Sequence, residues 1–398
     1  MNANIKKLAL EFTNDMIGWR RHIHAHPELS GKEKEAQKLI INVLRTLGIE
    51  YKENVYGYAV IGTIYGEYDG PNIALRADMD ALPIVETTGL PFASEEMGVM
   101  HACGHDSHVA ILLGVASILQ SVRDELYGTV TLVFQPAEEE ALVAGAKGIM
   151  ESGVLDTVNE IFGLHVWPQI PVGKVGLKAG HFMAASDRFN VDIVGKATHG
   201  AEPHNGIDAI VAAANWITSV ESIIARETNP MDQVVCTIGI FQAGERYNVG
   251  AGLAHLEGTC RTYDPNKRDY METRLTESLK ALDTMFGTNS TIEYKRGHGA
   301  TINTPSSVEY AASVVADYLG EDAVQMMEHP SMAAEDFSAY LQHIPGTFIW
   351  LGTGFEGNPP LHNSGFTIDE SILTSGATMM AAIVWERLSS VTTKNNVI

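Results

Sequence analysis

HVAILLGVASILQSVRDELYGTVTLVFQP, residues 108–136, changes hydrophobic period halfway along. Through Val122 it is an apolar run of helical length; TVTLVFQP at 129–136 is short, rich in β-branched residues and closed by proline, as a buried strand is. NIALRAD at 72–78 precedes this stretch and EIFGLHVW at 160–167 follows it, both strand-like. A helix between such strands is the alternation of an α/β layer architecture, in which helices cover a mostly buried sheet. The pattern extends upstream. YAVIGTIY at 58–65 predicts another strand, the opening residues look helical, and residues 33–47 place Ala36, Leu39, Ile40, Val43, Leu44 and Leu47 at helical spacing before a Gly48 stop.

Between residues 184 and 297 the rhythm changes. Strand FNVDIVG, helix GIDAIVAAANWITSVESII, strands QVVCTIGIFQAG and AHLEGTCRTY, helix KRDYMETRLTESLKALDTMF and strand STIEYKR follow in turn. This β-α-β-β-α-β order is that of a ferredoxin-like unit. Alternation then resumes with a helix from Ser306 to Leu319, the strand TFIWLG and a helix from Glu370 to Arg387. The expected fold is therefore α/β: a mixed-sheet α/β/α domain built from 1–183 and 298–398, interrupted by an inserted ferredoxin-like domain at 184–297.

Composition narrows the function. The 398 residues carry a formal charge of -22, which repels phosphate backbones and argues against a nucleic-acid partner. The N-terminus lacks an uninterrupted apolar signal region, and VAILLGVASIL is too short to span a bilayer, so a cytoplasmic protein without a membrane partner is expected. Cys103, Cys236 and Cys260 are too few, and odd in number, for a disulfide framework. Cys236 and Cys260, on predicted strands of the insertion, read as separate buried filler.

Chemistry concentrates in MHACGHDSH, residues 100–108, which packs a cysteine, three histidines and an aspartate before the predicted helix. Gly104 lets the backbone bend and bring Cys103 and His105 onto one centre, and both side-chain types hold transition metals. Further donors stand at strand ends, where open α/β sheets collect ligands. TVTLVFQP runs into Glu138, Glu139 and Glu140; extended geometry there would turn Glu139 towards a metal and Glu138 towards substrate and water. His165 tips the next strand, and His362 lies in the Gly/Pro-bounded loop GNPPLHNSGF.

In chain order, RRHIHAHPELSGKE, LRADMDALPI, MHACGHD, FQPAEEE, GLHVWP, ATHGAEPHNGIDAI, EGTCRTY, MAAEDFSAY and LHNSGF resemble the metal-dependent amidohydrolases related to hippurate hydrolase, bacterial aminoacylases and plant auxin-conjugate hydrolases, which belong with carboxypeptidase G-type exopeptidases. The resemblance spans nearly the whole chain. It implies a two-metal centre of zinc, manganese or cobalt ligated by Cys103, His105, Glu139, His165 and His362, with Glu138 as catalytic acid-base. It also implies a homodimer whose inserted domain serves as lid and dimerisation surface, with His199 reaching the partner's active site. The expected substrate is an N-acyl amino acid, with a dipeptide or N-acetyl-diaminopimelate as alternatives; a metal-binding regulator without catalysis is the alternative from another class. Arg261, a planar fork on strand AHLEGTCRTY, is the candidate for the substrate carboxylate, against a structural ion pair.

Some positions depart from relatives. Glu140 stands where they commonly have glycine or a small residue, Asp78 takes the place of a histidine in the exopeptidase His-x-Asp motif, and NVGAG replaces Asn-Val-Ile-Pro around the substrate-pocket candidate Asn248. Asp78, Asp80 and Asp106 are expected to orient ligands. HIHAHP, with His22, His24 and His26, reads as a helix-end packing motif; the barrel fold that His-x-His would otherwise suggest lacks its regular β/α repeats here.

Overall fold

The computed structural model describes residues 2–140 and 145–389. The chain forms two compact units, one from Met1–Phe182, Ile302–His329 and Asp336–Ile398, the other from Met183–Thr301 with Pro330–Glu335. Among the described residues no helix is long and apolar enough to cross a membrane.

The first unit is a mixed α/β structure around an eight-stranded sheet. Its strands lie in the order Glu50–Glu53, Val60–Tyr65, Tyr127–Gln135, Tyr68–Asp78, Glu160–Pro171, Gly346–Gly354, Val175–Leu177 and Val324–Met326. Tyr127–Gln135, Tyr68–Asp78, Glu160–Pro171 and Gly346–Gly354 run parallel, while Val60–Tyr65 and Val175–Leu177 pair antiparallel on either side of them. Register decides what their ends bring together. Asp78 is opposite Gln135, and Arg76 is opposite Gly163, two residues before Asp78 and His165 respectively. Asp78 and Gln135 end their strands, whereas His165 at the same level lies in the middle of Glu160–Pro171 rather than at its tip, because that strand runs on past its neighbours.

The helix between the strands runs from His105 to Ser121, three residues earlier than the apolar run begins, and every residue from His105 to Leu119 is buried. It is apolar on all sides because the sheet lies on one side and the helices Thr13–Ala25, Lys34–Leu47 and Ser371–Leu388 pack on the others. Each buried Leu, Ile or Val on it contributes roughly 1.5–3 kcal/mol. The early start comes from Gly104, the N-cap, whose φ of 84° is the left-handed region that favours glycine. A Cβ there would also stand 2.4 Å from Val166 Cγ2, so the turn fixes the spacing of Cys103 and His105.

The second unit has a four-stranded antiparallel sheet in the order Val234–Ala243, Leu253–Thr262, Ala185–Val194 and Asn289–Arg296. Along Ala185–Val194 burial alternates residue by residue, with Phe189, Val191 and Ile193 turned towards the core. There they meet Trp216 of helix Ala209–Ser222 and Leu275, Leu279 and Leu282 of helix Pro265–Phe286. Both helices start at aspartate caps, Asp208 accepting from Ile210 N and Val211 N, and Asp264 from Asn266 N. Val234–Ala243 is an edge strand, and Val235, Ile240 and Phe241 on it are exposed.

Candidate metal centre

Four separate segments of the first unit converge at the carboxyl ends of the parallel strands. Cys103 Sγ lies 3.4 Å from His165 Nε2 and 3.3 Å from His362 Nε2. His362 Nε2 is in turn 3.2 Å from Glu139 Oε1. Three overlapping trios have their ligand atoms within 4.8 Å of one another: Cys103, His105 and His165; Cys103, Glu139 and His362; and His105, Glu138 and Glu139. Cys103 belongs to the first two and His105 to the first and third.

The glutamates are not presented on extended chain as expected. Residues 138 and 139 form a bend, preceded by Ala137 at φ 54°. Two buried carboxylates hold this bend by its amides: Asp80 accepts from Glu138 N at 3.1 Å and Glu139 N at 3.0 Å, and Glu33 accepts from Ala137 N at 2.8 Å. Glu138 is buried at 8% exposure, Glu139 half-buried and Glu140 exposed. His362 also sits in the left-handed region, at φ 61°, and donates its N–H to Ala102 O at 2.8 Å. Non-glycine residues in that region cost on the order of 1–3 kcal/mol each, and such strain gathers at functional sites.

Electrostatics shows what the cluster lacks. His105 is fully buried with a carboxylate near each ring nitrogen, Asp80 Oδ1 at 3.4 Å and Asp78 Oδ2 at 3.6 Å, yet neither nitrogen makes a hydrogen bond, nor does Glu139 Oε1. Burial opposes a charge on His105, but Asp78, Asp80 and Glu139 outweigh it and push its pKa up to about 10. Burial and the charges of Glu139 and Glu138 push the Cys103 thiol far up. His165 is held well below the usual imidazole range by burial, and its Nδ1–H donates to Val166 O at 2.6 Å, leaving Nε2 as a lone-pair donor towards Cys103. Divalent cations would satisfy the orphaned atoms and favour the thiolate, so thiol, imidazole and carboxylate here fit a softer transition metal.

His108 explains why one loop histidine stands apart. Its Nδ1–H donates to Asp78 Oδ1 at 2.5 Å and its Nε2 accepts from Val166 N at 3.0 Å, so both nitrogens are used. Asp78 also takes Arg76 at 2.7 Å, and Arg76 reaches Asp336 at the same distance. Asp106 faces away from this set, into a network with Arg20 and His24.

Residues 74–386 match the model of peptidase family M20/M25/M40. The chain belongs to that family. Its relatives include the N-acetyl-L-cysteine deacetylase of Bacillus subtilis (strain 168), 42% identical over 90% of this chain and 84% of that protein. The IAA-amino acid hydrolase ILR1-like 5 of Arabidopsis thaliana is 38% identical over 94% of this chain and 86% of its own length. Among solved structures, the Bacillus subtilis YXEP protein, described as a dinuclear metal binding peptidase from the M20 family, superposes with a TM-score of 0.81 at 37% identity, covering 94% of this chain and 98% of that one.

Three further candidates of this M20 chain lie in the second unit. His199 is exposed; its two-residue strand Thr198–His199 pairs with Val249–Gly250, and Gly200 N donates to Asn248 O at 2.8 Å, which makes exposed Asn248 its neighbour. Arg261 is half-buried. Asp187, whose charge acts on Arg261, accepts hydrogen bonds from Arg268 Nε and Nη2. Among the described residues the Arg261 guanidinium has no hydrogen bond or ion pair, and burial lowers its pKa. Sequence reasoning passed over Glu33, His108 and Arg76. A charged residue inside the apolar run NIALRAD was the one signal for Arg76; Glu33 had none.

Proposed function

We propose that this M20 chain is a metal-dependent amidohydrolase that cleaves the amide bond of N-acyl amino acids, giving a carboxylate and a free amino acid. The observation that carries the proposal is a buried cluster of thiol, imidazole and carboxylate donors, short of cations and with orphaned atoms on His105 and Glu139, next to a second buried carboxylate, Glu138. Cys103, His105, Glu139, His165 and His362 would hold two divalent cations, zinc, manganese or cobalt. Such cations supply Lewis acidity to an amide carbonyl and lower the pKa of water. Glu138 takes the proton of the attacking water and returns it to the departing nitrogen, so its protonation state resets within one turnover. Arg261 grips the substrate carboxylate through its planar fork, and Asn248 belongs to the same pocket.

Relatives named for deacetylation of N-acetyl-L-cysteine and hydrolysis of IAA-amino acids support this substrate class. Mass spectrometry of metal-loaded protein offered N-acyl amino acids, their neutral amide counterparts and dipeptides tests it. Turnover of N-acyl amino acids is expected, with Arg261→Lys losing about 10- to 100-fold in kcat/KM on the carboxylates, the size of a charge-assisted pair, and sparing neutral amides that are turned over. Turnover of dipeptides alone would replace the proposal, and hydrolysis of no amide would end it.

The proposal includes a cytoplasmic homodimer in which His199 stabilises the oxyanion formed in the partner's site. The apolar residues exposed on edge strand Val234–Ala243 support pairing, and three unpaired cysteines suit a reducing compartment. Glu138→Gln and His199→Ala homodimers should each be inactive, whereas reassembled mixtures should regain activity at one site per heterodimer. Demonstrated subunit exchange without activity would remove His199 from the partner's site.

A further inference from the structure

Cys236 and Cys260 are free and buried, as expected, but the register sets them opposite each other. They are direct Cα partners on the antiparallel strands Val234–Ala243 and Leu253–Thr262. Both belong to the core beneath the helices, so their side chains leave the sheet on the same face. Directly opposed residues on antiparallel strands have Cα atoms about 4.5–5.5 Å apart. A disulfide spans about 4.4–6.8 Å between Cα atoms.

The two sulfurs are unequal. Interaction with the Cys236 thiol foremost, helped by the Tyr294 hydroxyl, holds Cys260 below the ordinary thiol range, while Cys236 is pushed up, first by Cys260 and then by burial. An opposed dithiol closes when one sulfur is oxidised and the other displaces the oxidised group. We propose that Cys236 and Cys260 form a reversible disulfide modification site, oxidised by hydroperoxides. The Cys260 thiolate attacks the terminal peroxide oxygen, breaking the O–O bond and releasing hydroxide (from hydrogen peroxide) or alkoxide (from an organic hydroperoxide), which the thiol's own proton neutralises to water or alcohol. Cys236 sulfur then displaces the sulfenic hydroxyl as water, so two thiols lose two electrons and the peroxide is reduced. The S–S bond closes the segment that carries Asn248 and the strand Val249–Gly250, the partner of the His199 strand. It therefore staples the hairpin leading into that pair.

The test is peptide mapping of the full-length, metal-loaded protein after hydrogen peroxide and alkylation of remaining thiols. Trypsin, cutting after Arg226, Arg246 and Arg261, places Cys236 in residues 227–246 and Cys260 in residues 247–261. The expected product is these two peptides joined, lighter than their sum by two hydrogens and separated by dithiothreitol, with the folded protein's thermal midpoint raised in the oxidised form and unchanged by peroxide in Cys236→Ser. A link formed in urea but not in native protein would overturn the proposal. So would joining of either cysteine to Cys103, oxidation of Cys260 to the sulfinic acid with Cys236 still alkylated, or both thiols surviving untouched.

Discussion

His105 and Asp106 are neighbours in the chain, yet each belongs to a different buried cluster of charge, and the two clusters are resolved differently. Around Asp106, Arg20, Arg21 and His24 face Asp106, Glu86 and Glu370: Arg20 Nε and His24 Nδ1 both donate to Asp106 Oδ2, at 3.0 and 2.8 Å, and both arginines reach Glu370. Around His105 the count does not close. Arg76 is shared between Asp78 and Asp336, while among the described residues neither ring nitrogen of His105 nor Glu139 Oε1 has a hydrogen-bond partner. An unpaired buried ion costs several kcal/mol. The first cluster is therefore complete on folding and works as a scaffold under the loop, whereas the second is complete only when cations arrive from outside. The contrast teaches which buried polar clusters to read as binding sites: those whose charges the chain leaves unmatched.

The largest effects are expected at Glu138, Glu139 and Cys103. Glu138→Gln should leave metal content unchanged and lower kcat by about 10²–10⁴-fold, the range for losing a general acid-base. Glu139→Gln and Cys103→Ala should lower metal content and activity together, because they remove donors from the unmatched cluster. Elemental analysis and steady-state kinetics on the same folded preparations separate the outcomes. Full metal occupancy in Cys103→Ala would move Cys103 into the self-sufficient kind of cluster, and near-normal kcat in Glu138→Gln would assign the proton to another group.

Much of this was legible in the chain, for reasons that differ by residue. Cys103, His105 and His362 lie beside turns that announce themselves through Gly104 and the run GNPPLHNSGF, so local punctuation places them, whereas Pro168 marks no end: the strand carrying His165 runs on to Pro171. The parallel strands have long apolar runs and were readable for the same reason. Val175–Leu177 and Val324–Met326 are three residues long, too short to carry a period. What stayed hidden depends on register and distant partners. The Arg76–Asp336 pair spans 260 positions, the pairing of Cys236 with Cys260 follows from strand alignment, and the bend at Glu138 is set by Glu33 and Asp80 through backbone amides. HIHAHP suggests only helix-end packing, whereas His24 is the buried centre of an ion network.

That network supplies the smaller, more graded test. Burial works against a charge on His24, but Asp106, through charge and hydrogen bond, and Glu86, through a hydrogen bond, raise its pKa to about 9, while Glu86 is lowered to about 2. A folded-state value above the unfolded one, about 6.5, means that the stabilisation is fully present below pH 6.5 and disappears as pH rises towards 9. The difference corresponds to roughly 3 kcal/mol. Urea midpoints of metal-loaded protein should therefore fall between pH 6.5 and 9 more steeply in wild type than in His24→Gln, which cannot titrate. Subtracting the two curves removes the contribution of every other group that titrates alike in both proteins, His105 included. A difference that stays flat across this window would show that His24 is neutral when folded, leaving Arg20 and Arg21 as the cations that face Asp106 and Glu370.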